Sequence, residues 1–159
     1  MNYDYQTHIS LLKEAQALRE QNKFLEDVNF SKYRQLLKYS AQMSNHFHWL
    51  QKNKYLQLIH DFLSFKLPAT DFKSQFSTLL LEIEAERRSL ETNLKTGKLK
   101  SLQLDPKSAD FELWVSEISL CCDEFDPRFK PTDDLTVAEK TEAQLRSAVA
   151  NLLPILESY

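Results

Sequence analysis

The chain has 159 residues, of which 42% are hydrophobic and 27% are charged, and its formal net charge at pH 7 is −3. This composition predicts one folded domain, or one domain with a short helical extension, and argues against a chain that is disordered throughout. Gly97 is the only glycine, which excludes a glycine-rich phosphate loop and a dinucleotide-binding fingerprint. With so little turn-forming glycine, we expect long helices joined by short breaks rather than β-hairpins.

The N-terminus and the cysteines both favour a cytoplasmic protein. The first five residues, Met1-Asn2-Tyr3-Asp4-Tyr5, do not combine a basic start with an apolar stretch, as a signal peptide would. No apolar run is long enough to span a bilayer. Cys121 and Cys122 are adjacent, and neighbouring side chains in a helix point about 100° apart, so they are not expected to form a disulfide. We therefore expect a reducing compartment and no membrane partner.

Apolar residues at helical spacing predict two helices in the first 54 residues. The first covers about residues 7–27, and Thr7 is suited to cap its N-terminus. The second covers about residues 30–50, with a candidate break at Ser44-Asn45. We interpret residues 1–54 as a helical extension.

Four more helices are expected between residues 55 and 159. The first covers residues 55–65, and the second begins after Pro68, which is tolerated in a first helical turn, and ends near Gly97. The third opens near Ser108. The fourth covers residues 136–156, since Thr136 and Glu139 have the spacing of a capping box. The fold class that follows is all-α, an antiparallel four-helix bundle over residues 55–159 that folds without the extension.

Charge is distributed unevenly along the chain. Residues 1–54 contain eight basic and five acidic residues, a net of +3. Residues 55–104 have a net charge of +1, from seven basic and six acidic residues. Residues 105–159 contain five basic and twelve acidic residues, a net of −7. Such an asymmetry bears on binding partners rather than on the fold.

No group of residues in the sequence indicates catalysis. There is no His-Glu-x-x-His motif, and no histidine follows a glutamate by three residues. His46 and His48 are a weak metal-binding pair, and we interpret His48 and Trp49 as a packing patch at a helix end. Glu82, Glu84 and Glu86 are interpreted as a solvated helix face with local ion pairs. We therefore predict a protein that is not an enzyme and has no metal site and no cofactor.

Nucleic-acid binding is also not predicted. A short basic strip consists of Arg87, Arg88, Lys95, Lys98 and Lys100. A nucleic-acid surface would require a larger basic patch on a basic domain, and the isoelectric point of this chain is about 5.8. Basic residues near a helix C-terminus also complement the helix dipole, which accounts for this strip without a ligand.

The strongest candidate site is a cluster of five carboxylates within residues 123–134, namely Asp123, Glu124, Asp126, Asp133 and Asp134, which we call the acidic segment. The first three lie where a helix is expected to end, and carboxylates at a helix C-terminus oppose the helix dipole. Local folding therefore does not explain them, whereas a cationic protein partner would. A solvated acidic loop that aids solubility is the alternative.

The chain from residue 55 onward resembles the colicin D-like family of bacterial immunity proteins. Five segments carry this resemblance: Leu58-Ile59-His60-Asp61-Phe62-Leu63, Ala69-Thr70-Asp71-Phe72, Glu86-Arg87-Arg88-Ser89-Leu90, Asp123-Glu124-Phe125-Asp126-Pro127 and Thr141-Glu142-Ala143-Gln144-Leu145-Arg146. In order, they are an apolar segment, the start of a long helix, the end of that helix, the end of an apolar helix in the acidic segment, and part of the terminal helix.

The resemblance implies a four-helix bundle that inhibits a cognate ribonuclease toxin. In such a family, acidic side chains occupy the basic cleft in which RNA phosphates would bind, and Asp123 and Asp126 match toxin-contacting positions. Arg128 stands where another acid is expected, and the first 50 residues have no counterpart in short family members. The alternative function is a helical adaptor or regulatory interaction module without a toxin partner.

Overall fold

A computed structural model describes residues 3–93, 102–130, 132–133 and 139–159. These residues form seven helices and no β-strand, apart from one isolated bridge between Phe125 and Lys140. The all-α fold class is thus confirmed. The helices are α1 (Tyr5–Glu20), α2 (Leu25–Val28), α3 (Phe30–Leu50), α4 (Lys52–Leu63), α5 (Ala69–Thr92), α6 (Ser108–Asp123) and α7 (Glu142–Glu157).

The first predicted helix, residues 7–27, is two helices in the structure, since α1 begins earlier and ends at Glu20 and α2 covers Leu25–Val28. Asp4, not Thr7, is the N-cap of α1, because the Asp4 carboxylate accepts hydrogen bonds from the Gln6 backbone N–H at 3.0 Å and from the Thr7 hydroxyl at 2.5 Å. The α3 helix has the predicted bounds and continues through Ser44-Asn45 without a break.

The connection between α4 and α5 is a tight turn that is fixed from two sides. Phe65 has a positive φ of 61°, and the backbone N–H groups of Lys66 and Leu67 donate to the Asp61 carbonyl at 3.0 and 3.1 Å. The Arg146 guanidinium, from α7, donates to the carbonyls of Phe62 and Leu67. Pro68 then precedes α5, as predicted.

Two helix boundaries differ from the sequence prediction, namely the end of α5 and the start of α7. The α5 helix ends at Thr92, with Asn93 as its C-cap, and Gly97 lies outside the described residues. The α7 helix begins at Glu142 rather than at residue 136. Its capping box uses Thr141 and Gln144, which repeat the Thr-x-x-Glu/Gln pattern five residues later.

One hydrophobic cluster extends across the predicted boundary between residues 54 and 55. Met43 and Phe47 of α3 pack in the same cluster as Tyr55 of α4 and Phe111 of α6, and none of these four is more than 6% exposed. The Tyr55 hydroxyl also lies 2.8 Å from Nδ1 of His48, inside this cluster. The α3 helix contacts α1, α2, α4, α5 and α6, so the packing places it at the centre of the domain.

Candidate partner-binding surface

The acidic segment is positioned by a buried aromatic residue. The α6 helix ends at Asp123, and Phe125, two residues later, is only 4% exposed and belongs to the core. Lys73 of α5 donates a hydrogen bond to the Phe125 carbonyl at 3.1 Å. The turn that bears the acids is thereby fixed to the core by the Phe125 side chain and to α5 by the Phe125 carbonyl.

Glu124 pairs with a lysine that precedes the last helix. Its carboxylate lies 2.7 Å from Nζ of Lys140, and both side chains are about 20% exposed. The Lys140 backbone N–H donates to the Glu124 carbonyl at 2.9 Å, and the Lys140 carbonyl accepts from the Asp126 N–H at 3.4 Å. Glu124 therefore helps to hold the start of α7 against the end of α6.

Asp126 organises the turn that follows. Its carboxylate accepts the Arg128 backbone N–H at 2.8 Å and pairs with the Arg128 guanidinium at 2.6 Å. Hydrogen bonds from Arg128 hold the pKa of Asp126 at about 2, below its usual 3.8. Arg128 stands where the resemblance implies another acid, and it instead neutralises part of the acidic segment.

The remaining acids differ in their local bonding. The Asp133 carboxylate accepts the Lys130 backbone N–H at 2.7 Å, in an exposed turn. Asp134 lies outside the described residues. Asp123 is exposed, and its side chain forms no hydrogen bond or ion pair with any residue of the described ranges. Local folding thus accounts for Glu124 and Asp126, contrary to the sequence argument, and leaves only Asp123 of the first three unexplained.

A second acidic feature, the exposed side of α6, was missed by the sequence analysis. Asp110, Leu113, Glu117 and Leu120 are exposed at helical spacing, and the two leucines are each 53% exposed. We call these four residues the α6 stripe. The opposite side of the helix carries the buried residues Phe111, Val115, Ile118 and Cys122. The sequence could have indicated the α6 stripe, because Leu113 and Leu120 do not share the helical spacing of the buried residues.

A half-buried ionic network joins α1, α3 and α5, and no pattern in the sequence indicated it. The Glu91 carboxylate accepts from the Ser40 hydroxyl at 2.6 Å, pairs with Arg87, and lies 3.5 Å from Nε2 of the fully buried His8. Burial opposes the ionised form of Glu91, but its bonds to these three residues outweigh burial and lower its pKa.

The same network includes Glu84, as predicted for a helix face with local ion pairs. Glu84 pairs with both Arg87 and Arg88. Hydrogen bonds from Arg87, the largest cause, bring the pKa of Glu84 to about 2, below its usual 4.5. Arg87 lies between two carboxylates and is largely buried, so it is not part of an exposed basic strip.

The other candidate centres are buried side chains. His46 and His48 are both buried, and burial lowers the pKa of each. Burial also raises the pKa of the Cys122 thiol to about 12, which disfavours a reactive thiolate. Within the described ranges, no three His, Cys, Asp or Glu residues are grouped closely enough to hold a metal ion.

Comparisons with protein-family models, curated proteins and solved structures find no match for this chain. Among the helices that the structure describes, none has the length and apolar character needed to cross a membrane.

Proposed function

We propose that this protein binds a cationic protein through the surface around Asp123, Glu124, Asp126 and Asp133, and that the partner is a toxin nuclease that it inhibits. The observation that carries the proposal is the position of Asp123. It is an exposed carboxylate at the end of α6, without a partner among the described residues, where it opposes the helix dipole. An unpaired carboxylate at this position lowers the stability of the free protein, and its charge becomes favourable only when a cation approaches.

The electrostatics of this region support a basic partner. Residues 105–159 carry a net charge of −7, and the Glu124 and Asp126 side chains remain 20% and 25% exposed although each has a local partner. A nuclease cleft is electropositive because it binds phosphates. Complementary negative charge on an inhibitor accelerates association and disfavours wrong partners. An inhibitor that fills such a cleft in the cytoplasm needs no cofactor of its own.

The test uses the tagged full-length protein as bait in a lysate of its own source organism. We expect it to retain a basic nuclease, and the purified nuclease should lose activity when the protein is added. Asp123→Asn should weaken both retention and inhibition, because a carboxylate paired with Lys or Arg at an interface is worth about 2–5 kcal/mol. Glu86→Gln, which changes an exposed acid on α5, is the matched control and should behave like the wild type.

Two results would count against the proposal. A retained nuclease that stays fully active in the complex would mean that binding does not block the active site. Equal retention by the wild type and by Asp123→Asn would mean that the acidic segment is only a solvated loop. A retained protein without nuclease activity would instead favour an interaction module with another kind of partner.

A further inference from the structure

The exposed face of α3 has a composition complementary to that of the α6 stripe. Phe30, Arg34, Leu37 and Lys38 are all exposed and follow one another at helical spacing, and Phe30 and Leu37 are 62% and 49% exposed. We call these four residues the α3 stripe. Neither Arg34 nor Lys38 forms an ion pair with another described residue. The α3 stripe is therefore apolar and basic, where the α6 stripe is apolar and acidic.

The spacing of the two stripes also matches. Each stripe has two large apolar residues seven positions apart, which is about 10 Å along a helix. Arg34 follows Phe30 by four positions, and Glu117 follows Leu113 by four positions. When the apolar pairs are aligned, Arg34 therefore faces Glu117. This pairing lies near the middle of both stripes, so it holds whichever way the two helices run.

A surface depression on the α3 stripe provides room for an incoming side chain. It has a volume of about 420 Å³ and is lined by Phe30, Ser31, Arg34, Gln35 and Lys38. A leucine side chain inserted there would be covered by Phe30 and the aliphatic parts of the two basic side chains. A carboxylate beside that leucine would come within reach of Arg34 or Lys38.

The two stripes cannot meet within one molecule. Inside one copy, α3 and α6 already pack through their buried sides, where Met43 and Phe47 share the core with Phe111 and Val115. Their stripes consequently face outward. We propose that the α3 stripe of one copy binds the α6 stripe of a second copy, with Arg34 paired with Glu117 and with Leu113 and Leu120 as the apolar anchors.

This association does not depend on the proposed nuclease partner, because Asp123, Asp126 and Asp133 are not members of either stripe. The contact joins two different surfaces, so two such contacts related by a twofold axis give a dimer, and an unclosed arrangement gives longer assemblies. In both cases, the average mass should rise with protein concentration above the 18.7 kDa of one chain and fall when salt is added, since the charges are exposed.

The experiment measures mass against concentration by sedimentation equilibrium on the full-length chain. We expect Arg34→Glu and Glu117→Arg each to weaken self-association about tenfold or more, because each variant opposes like charges. The double variant Arg34→Glu/Glu117→Arg should recover it. An equimolar mixture of the two single variants should also associate, because the glutamate introduced at position 34 of one copy can pair with the arginine introduced at position 117 of the other.

Matched controls introduce the same kinds of substitution at exposed residues outside both stripes. Lys54→Glu and Glu86→Arg alter exposed charges outside both stripes, and they should leave self-association unchanged. Leu120→Asp should abolish it, whereas Leu81→Asp, at a leucine of α5 that is 71% exposed, should not. A wild-type protein that stays monomeric at millimolar concentration overturns the proposal. So does a double variant that associates no better than the two single variants.

Discussion

The N-terminal region joins the rest of the domain through the hydrophobic core, whereas Glu124 and Asp126 of the acidic segment join it through ion pairs and hydrogen bonds. The sequence favours an extension over residues 1–54, yet α3 supplies Met43 and Phe47 to the core, and Lys32 of α3 pairs with Glu14 of α1 at 2.8 Å. For the acidic segment, the sequence left both a partner-binding site and a solvated loop open, yet Glu124 and Asp126 stabilise local turns. A cluster of acidic residues in a sequence therefore does not show which of them have local partners in the fold.

Removing residues 1–54 should have the largest effect. Without α3, α6 loses one of the helices that cover its buried residues Phe111, Val115 and Ile118. We expect the fragment 55–159 to lose cooperative thermal unfolding, measured by circular dichroism at about 222 nm. A matched fragment, 30–159, keeps α3 and lacks α1 and α2, and it should still unfold cooperatively at a lower temperature. If the fragment 55–159 unfolds cooperatively, the boundary drawn from the sequence is correct.

The sequence predicted those features that depend on local spacing. The bounds of α3 follow from periodic apolar residues and from Asn29, whose side chain accepts the Lys32 backbone N–H at 3.0 Å. The start of α5 follows from Pro68. The sequence could not choose between the capping pattern at Thr136 and the same pattern at Thr141, because both satisfy the local rule and only the packing of α7 distinguishes them.

Pairings between distant residues could not be predicted. His8 and Glu91 are 83 positions apart, and Glu124 and Lys140 are 16 apart across a loop. No periodicity in one sequence encodes such contacts. For the candidate site, the sequence identified the acids but not their local partners. The sequence therefore could not show that Asp123 is the carboxylate of this site that lacks a local partner among the described residues.

Glu91→Ala should be the most destabilising single change in the charged networks. It removes the carboxylate that the Ser40 hydroxyl and the buried His8 contact, and leaving buried polar groups without a partner costs about 1–3 kcal/mol. Denaturant unfolding should show this loss in the free energy of unfolding. Glu86→Ala, on the exposed side of the same helix, is the control and should change it by less than about 0.5 kcal/mol. Equal effects of the two changes would show that α1 is not held by this network.

Acid should weaken the α5 network. The pKa of Glu84 is about 2 in the folded protein and 4.5 ordinarily, so its stabilisation is complete above pH 4.5 and is lost as the pH falls toward 2. After screening by solvent, this amounts to on the order of 1 kcal/mol. The melting temperature should fall over this range. It should fall less steeply in Glu84→Gln, and an identical slope in that variant would assign the acid sensitivity to other groups.

Glu124→Gln should have a smaller effect on stability. It removes a carboxylate that is 2.7 Å from Lys140 and partly exposed, and such a pair contributes about 0.5–1 kcal/mol. The backbone hydrogen bonds that Lys140 forms with Glu124 and Asp126 remain, so the turn should persist. Chemical denaturation measures the loss, which should shrink at high salt. A loss of several kcal/mol would mean that Glu124 anchors α7 rather than supporting it.

Asp123→Asn should have the smallest effect on stability and the clearest effect on binding. Asp123 has no local partner in the described structure, and its charge opposes the dipole of α6, so its neutralisation should stabilise the protein by a few tenths of a kcal/mol. The same substitution should weaken the nuclease complex. Glu124→Gln would weaken binding too, but it lowers stability as well, so it cannot separate the two roles. A rise in melting temperature together with a loss of nuclease inhibition would establish that the carboxylate is retained for its partner. A fall in melting temperature would show that Asp123 supports the fold, and Asp133 would then be the next candidate for the contact with the nuclease.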